Sequence, residues 1–385
     1  MHQDIILSIR VFAISCRKVS LNAHVTARQQ AQLAFAASGQ NLIVGDVANC
    51  PLSPAALAAL TPDSPLVVEH FDGGLTARVL HLSVAGVHYT LKQRRAEARV
   101  LNIDGETSFL NEVQRRADFT RLKADPVCSE RFGHIVPTLY ADYQQGIILS
   151  PWLPGRQLDH FSADIFRQIL TTAVACEEAG LMEWDLCPGN IIEDQGRIWL
   201  FDFGYMYPFD PLVDFNSNGQ SDPLFHACER FETRHFFGWL LRQRNVMSEA
   251  EQLALFRELK VVAIEVYQQK LAWLTAHGTC TAVLNWVDSF IVRWQRMLQD
   301  PVSLASLFEM EGFRSHVLDI EDDLHGKSCT ALTLQRLDFV EQCINTRFAA
   351  LQEGGVLFYD NAGKTQTELL ALYTDKRRQA MQYQL

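Results

Sequence analysis

Between Glu183 and Gly204 the chain reads EWDLCPGNIIEDQGRIWLFDFG, with Asp185 five residues before Asn190 and Asp202 directly before Phe203 and Gly204. A carboxylate able to take a proton from a hydroxyl, followed by an amide and a second carboxylate that offer oxygen donors to a hard cation, is equipment for phosphoryl transfer. Pro188 and Gly189 suit a tight loop between the first two, and the apolar run RIWLF predicts a buried strand that delivers Asp202 at its end. Upstream, Gly73 and Gly74 fall in a turn before Thr76, where missing side chains let backbone N–H groups approach phosphate oxygens. Lys92 is the candidate cation for those phosphates. Glu112 is its candidate ion-pair partner, with Glu106 as the rival.

These residues need elements to hold them. From Leu66 the runs LVVEHF, ARVLHLSV and VHYTLK, separated by the turns DGG and AG, predict three antiparallel strands in a meander, with Lys92 closing the third. ETSFLNEVQRRADFTRLK sets Phe109, Leu110, Val113 and Ala117 on one helical face and carries Glu112; HIVPTLYADYQQGIILSPWL supplies two more strands. Ile165, Phe166, Ile169, Leu170, Ala173 and Val174 recur at helical spacing between Ser162 as cap and Gly180 as stop, so a helix leads into the Glu183–Gly204 stretch. Beyond residue 225 the pattern is helical. A capping box at Ser248 and Glu251 opens a helix that ends at Gly278, and further helices are expected at about 280–298 and 330–352. The first part reads as an appendage, helix-like at TARQQAQLAFAASG and again at SPAALAAL, where Ser53 caps and Pro54 takes the first helical position. The expected organisation is an extension over 1–62, a sheet-rich part over 63–150 and a helical part over 151–385.

Taken in order, the parts resemble the protein-kinase-like superfamily from about Leu66 to Leu241, and within it the small-molecule kinases related to aminoglycoside and choline phosphotransferases. GGLTARVLHLSVAGVHYTLK is similar to their glycine turn leading to the lysine of the third strand, WDLCPGNII to their GDLHPGNIL loop, and SDPLFHA to the segment after their metal-binding aspartate. Asp185 with Asn190, and the triplet Asp202-Phe203-Gly204, match the catalytic-loop and metal-binding motifs of kinases. The resemblance implies an α+β, two-lobed fold with a small antiparallel N-lobe and a mainly helical C-lobe, and ATP and Mg²⁺ as cofactors. It further implies Asp185 as the catalytic residue, Asn190 and Asp202 as metal ligands, and Gly73, Gly74, Thr76, Lys92 and Glu112 around the phosphates. The hinge would fall at IILSPW, so backbone groups of Ser150 and Leu153 are expected on adenine, with Trp152 either beside them or simply in the core. A GxGxxG loop and an activation segment closing with APE, the marks of typical protein kinases, are not evident. There is one departure: Glu183 and then Trp184 stand where the family has, two residues before the catalytic aspartate, a histidine that braces the DFG backbone.

Composition narrows the partners. With 385 residues, 48% hydrophobic and 21% charged, the chain reads as a globular protein of more than one packed unit. A net charge of −11 argues against nucleic-acid backbone or anionic lipid as the main partner. Nine scattered cysteines without a CxxC pair predict neither a zinc site nor a disulfide framework and fit a reducing, cytoplasmic setting. The N-terminal run IILSIRVFAISCRKV, broken by Arg10 and followed by basic residues, reads as a strand rather than a signal segment; no run approaches the ~18 apolar residues of a membrane span.

Other polar features read structurally. His226, Glu229 and His235 fit no metal-ligand spacing; DIEDD from Asp319 predicts a solvated helix edge; Glu112, one turn before Arg116, also suits an ordinary exposed pair. Cys187, beside Asp185, is a candidate oxidation-sensitive thiol. The expected acceptor is a small-molecule hydroxyl. A divergent kinase acting on protein, an enzyme transferring AMP, and a partner-binding pseudokinase are the alternatives, the last motivated by Glu183 and Trp184.

Overall fold

Caps and turns in the chain set where its elements begin. In the computed structural model residues 22–385 are described, so the strand expected from Ile5 lies outside them. The Asn22 side chain accepts from His24 N–H to open α1 (Ala23–Ala37), β1 (Ile43–Gly45) follows, and Ser53 with Pro54 opens α2 (Pro54–Ala58). The meander is β2 (Val67–Phe71), β3 (Ala77–Val84) and β4 (Val87–Arg94). Asn102 caps α3 (Ile103–Ala124) by accepting from Gly105 N–H, and β5 (Tyr140–Asp142) and β6 (Ile147–Pro151) complete the N-terminal part.

These strands form one antiparallel sheet in the order β1-β5-β6-β4-β3-β2. The segment expected to be an appendage therefore supplies the edge strand β1. Period-2 alternation splits the sheet's side chains between two apolar layers. Leu80, Leu82, Leu91, Ile147 and Leu149 pack under Leu57 on one side. Ala77, Ala141 and Ile148 pack on the other against Phe109, Leu110 and Val113 of α3. Lys92 is in register with Val79 and Ile148, so it leaves the sheet on the α3 side.

The rest is mainly helical. After β7 (Arg156–Gln157), Ser162 caps α4 (Ala163–Glu178), which delivers the chain to β8 (Leu181–Glu183). A loop follows, then the hairpin β9 (Ile191–Asp194) and β10 (Arg197–Leu200), and β11 (Met206–Pro208) returns to pair with β8. Next come α5 (Ala227–Phe231), a π-helical turn (Glu232–Phe236) and α6 (Phe237–Gln243). The series closes with α7 (Glu249–Ala276), opened by the Ser248–Glu251 capping box, then α8 (Thr281–Met297), α9 (Pro301–Gly326), α10 (Ala331–Glu353) and α11 (Gln366–Gln382).

The molecule is thus a mixed α+β protein, with an antiparallel sheet in its N-terminal part and helices beyond. Phe166, Ile169 and Leu170 of α4 and Phe256, Leu259 and Val262 of α7 form the centre of the larger helical core. No helix among the described residues is long and apolar enough to cross a membrane.

The reading of DIEDD as a solvated edge holds for the exposed Asp322 and is corrected for Asp319. Asp319 is buried on α9, where it pairs with Arg234 and, at 2.7 Å, with Arg336. Charge implies solvent only until a buried partner is known, and both partners come from other helices.

Candidate functional site

Lys92 is the centre of the arrangement. Its ammonium lies 2.5 Å from Glu112 Oε2 and 2.9 Å from Asp202 Oδ2, bringing β4, α3 and the end of the β10 strand run to one point. Glu112 is buried and also accepts from Arg116 at 2.8 Å, so the pairing with Arg116 and the pairing with Lys92 coexist, in the interior rather than on an exposed face. Glu106 is exposed in the first turn of α3. Burial opposes charge on Lys92, yet Asp202 and Glu112 outweigh it and raise the ammonium's pKa. For Glu112 burial likewise works against ionisation, and Lys92 with Arg116 prevails and lowers it. Asp202 goes the other way, its pKa raised by desolvation against the pull of Lys92.

The backbone that carries Asp202 is unusual. Its φ of 67° is in the left-handed region, which a non-glycine residue occupies only where its surroundings hold it. The holding group is Asn111 on α3. Its buried Nδ2 donates to the carbonyls of Phe203 at 3.3 Å, Gly204 at 3.0 Å and Met206 at 2.8 Å. Phe203 is buried against Phe119, with the Arg116 guanidinium 5.2 Å from its ring centre. Gln32 of α1 reaches Asn111 Oδ1 at 3.4 Å and Gln114 at 2.6 Å, so the N-terminal helix supports the same brace.

Asp185 and Asn190 are set by the loop after β8. The Asn190 Nδ2 donates to Asp185 O at 2.9 Å and to Asp185 Oδ2 at 3.3 Å, while Asp185 Oδ1 accepts from Arg234 Nε at 2.9 Å. Asp185, Asn190 and Asp202 border one small void together with Glu183, Leu186 and Phe203. The donor set suits Mg²⁺: Asp202 offers a carboxylate, and Asn190, with its Nδ2 turned to Asp185, offers its amide oxygen. Such a hard, sparse set is what Mg²⁺ takes when phosphates and water fill its other positions. No group of three His, Cys, Asp or Glu among the described residues forms a separate metal cluster.

The remaining candidates are placed as follows. Gly73, Gly74 and Thr76 lie in the turn between β2 and β3, which Arg95 ties down by donating its Nε to Gly74 O at 2.9 Å and its backbone N–H to Thr76 O at 3.1 Å. A Cβ on Gly74 would stand 2.3 Å from Ala77 O, whereas one on Gly73 would meet open space, so only Gly74 is required by the turn. Ser150 pairs with Thr90 in the sheet, and its Oγ accepts from Arg116 at 3.4 Å. Leu153 lies just past β6 and packs on the larger helical core. Trp152 stacks flat on His81, ring centres 3.6 Å apart, and takes part in none of the apolar cores.

Glu183, which stands where a histidine was expected, accepts from Asp185 N–H at 2.7 Å through Oε1 while its buried Oε2 has no partner. The Phe203 backbone carbonyl is braced instead by Asn111. Burial pushes the Glu183 carboxyl well above the usual carboxylate range; the Asp185 N–H opposes this, and the charges of Asp185 and Asp202 reinforce it. Above an ordinary carboxyl pKa of ~4.5 the unfolded chain has released this proton while the folded chain keeps it, so stability falls as pH rises toward the folded value. Glu183→Gln keeps the acceptor oxygen and removes the titration. It is expected to raise the melting temperature at pH 7 and flatten its decline with pH in thermal melts; an unchanged slope would contradict this assignment.

A scan of protein-family models finds no match to this chain. Nor does a search of curated proteins.

One sequence reading is corrected at the site, and two residues were not read from the sequence. Cys187 is not poised for oxidation, because burial, with Asp185 beside it, pushes its thiol pKa well above normal. Asn111 and Arg234 were missed altogether, and no motif marks either residue. His226 and His235 are structural: His226 Nδ1 meets the Tyr267 hydroxyl at 2.6 Å and His235 Nε2 meets Leu158 O at 3.3 Å, and burial lowers the pKa of both.

Proposed function

We propose that the chain is an ATP- and Mg²⁺-dependent phosphotransferase with a kinase-like, two-lobed arrangement, passing the γ-phosphate to a hydroxyl of a small molecule. The observation that carries the reading is Lys92 buried between Glu112 and Asp202, an ammonium held within reach of phosphates by one carboxylate and linked to a metal-binding one by the other. The strand order supports it, since the glycine turn, Lys92 and the β6 exit bearing Ser150 and Leu153 line up along neighbouring strands. In this reading the turn at Gly73 and Gly74 covers the phosphates, Lys92 grips them, and Asn190 with Asp202 holds Mg²⁺.

Bound Mg²⁺ would neutralise charge developing on the phosphates. Asp185 would accept the proton of the acceptor hydroxyl as that oxygen bonds to the γ-phosphorus and the bond from phosphorus to the β–γ bridging oxygen breaks, releasing ADP. The preference for a small acceptor rests on the segment after Gly204. It is anchored by β11 pairing with β8, by Asn216 donating to Asp222 O and Phe225 O, and by Trp184 Nε1 donating to Ser217 Oγ at 2.8 Å, an arrangement unlike a long mobile platform for peptides.

Incubation with γ-labelled and, separately, α-labelled ATP in the presence of metabolite and protein pools tests the reading. γ-label on a small molecule is the expected result. Label on protein alone, or transfer of α-label, would replace it with the protein-kinase or AMP-transfer alternative.

A further inference from the structure

Arg234 has no counterpart in the sequence motifs, yet it makes a closer contact with the Asp185 carboxylate than Asn190 does. It stands in the π-helical turn Glu232–Phe236 between α5 and α6. Such a turn widens a helix by one residue, departs from the preferred hydrogen-bond pattern and occurs frequently at functional sites. Here it aims Arg234. The Nε donates to Asp185 Oδ1 at 2.9 Å, and Nη1 pairs with Asp319, with Asp323 Oδ1 farther off at 3.9 Å.

The anchor on α9 is itself fixed. Asp319 Oδ2 is ion-paired with Arg336, 2.7 Å from its Nε, Arg336 donates to Thr233 O at 3.2 Å, and Asp323 Oδ2 accepts from Thr333 Oγ1 at 2.5 Å. Two helices remote in sequence therefore hold one guanidinium against one carboxylate. A fork whose donors are this constrained has little freedom left to lose when it orients a partner.

Seen from Asp185, the two oxygens are held from opposite sides, Oδ1 by Arg234 and Oδ2 by Asn190. With a side-chain exposure of 22% the carboxylate is still open to solvent. An ion pair serving stability alone gains nothing from engaging the one carboxylate in the DLCPGN loop, and a buried pair is in any case weak evidence for stability.

We propose that Arg234 is a positioning residue for the phosphoryl-transfer step, locking the Asp185 carboxylate in the rotamer that presents Oδ2 to the acceptor hydroxyl. This rests on the phosphotransferase reading. Its consequence is a separation of effects: Arg234 acts on the attack of the acceptor oxygen and the proton it gives up, and not on the grip of Lys92 and Asp202 on nucleotide.

The test uses the full-length chain and ATP hydrolysis, with water as acceptor, so that no acceptor need be known. The kcat and ATP KM are measured for wild type, Arg234→Ala and Arg234→Lys, with and without added guanidinium ion. The expected result is a kcat at least tenfold lower in Arg234→Ala with ATP KM within twofold of wild type, partial recovery with millimolar guanidinium, and an intermediate kcat for Arg234→Lys. Arg234→Lys keeps a cation opposite Asp319, and its kcat and KM decide the matter if the alanine variant does not fold.

Turnover by wild type with an unchanged or higher kcat in the lysine variant, or a loss confined to ATP KM, overturns the role of Arg234 and leaves the phosphotransferase reading standing. No nucleotide turnover by wild type overturns that reading and this inference with it.

Discussion

Asp185→Asn is expected to lower phosphate transfer by about 10²- to 10⁴-fold, the range for loss of a positioned proton acceptor, while leaving ATP and Mg²⁺ binding in place. The structure makes the substitution a clean one. An asparagine Oδ1 still accepts from Arg234 Nε, and the Asn190 contact at 2.9 Å is to the Asp185 backbone carbonyl, which the substitution leaves untouched. What is lost is the second carboxylate oxygen and its capacity to take a proton. Single-turnover transfer from γ-labelled ATP gives the rate, and isothermal titration with nucleotide gives the binding. A variant that transfers at the wild-type rate would remove Asp185 from the chemistry and favour the partner-binding alternative.

Glu112→Ala is expected to have the largest effect on stability among the site residues. Glu112 has 2% side-chain exposure and faces two cations that are nearly as buried, Lys92 and Arg116. Removing it strands Arg116, whose other contacts are a 3.4 Å bond to Ser150 Oγ and the face of Phe203, and leaves Lys92 with Asp202 alone. Breaking a buried pair from one side typically costs about 3–5 kcal/mol, because the remaining charge is uncompensated. Urea unfolding should show a loss of that size, and nucleotide affinity should fall with it. Glu106→Ala, at an exposed position on the same helix, should stay within about 0.5 kcal/mol of wild type. Equal losses for the two variants would mean that the Lys92 pairing does not hold α3 in place.

How much of this was legible follows the range over which each signal acts. The meander β2 to β4, the face of α3, the capped start of α4 and the Ser248–Glu251 capping box are local: period, cap and turn residues sit within one element. The spacings from Asp185 to Asn190 and from Lys92 to Glu112 were readable because the first is one loop and the second is a strand and the helix packed on it.

What escaped depends on distant partners. Asp319 and Arg234 are 85 residues apart, and each alone looks like an ordinary surface charge. The bounds of α9 were not given, although the region reads as helical, because its residues from Met310 to Ile320 are buried without interruption, which erases the one-sided stripe by which a helix is delimited. Asn111 is similar: a buried asparagine on a helix carries no mark of the three carbonyls it will meet. Glu183 is visible in the sequence, but not that Asn111 of α3 braces the Phe203 backbone.

Lys92, Asn190 and Asp202 are proposed to form a nucleotide and metal site. Its most direct test is the melting temperature of the wild-type chain and of Asp202→Ala, each with ATP alone and with ATP plus Mg²⁺. At ~100 times the dissociation constant, binding should stabilise the wild type by roughly 2.7 kcal/mol. The account predicts a Mg²⁺-dependent rise in the wild type that is absent from Asp202→Ala. No rise in the wild type, or an equal rise in both proteins, would contradict it.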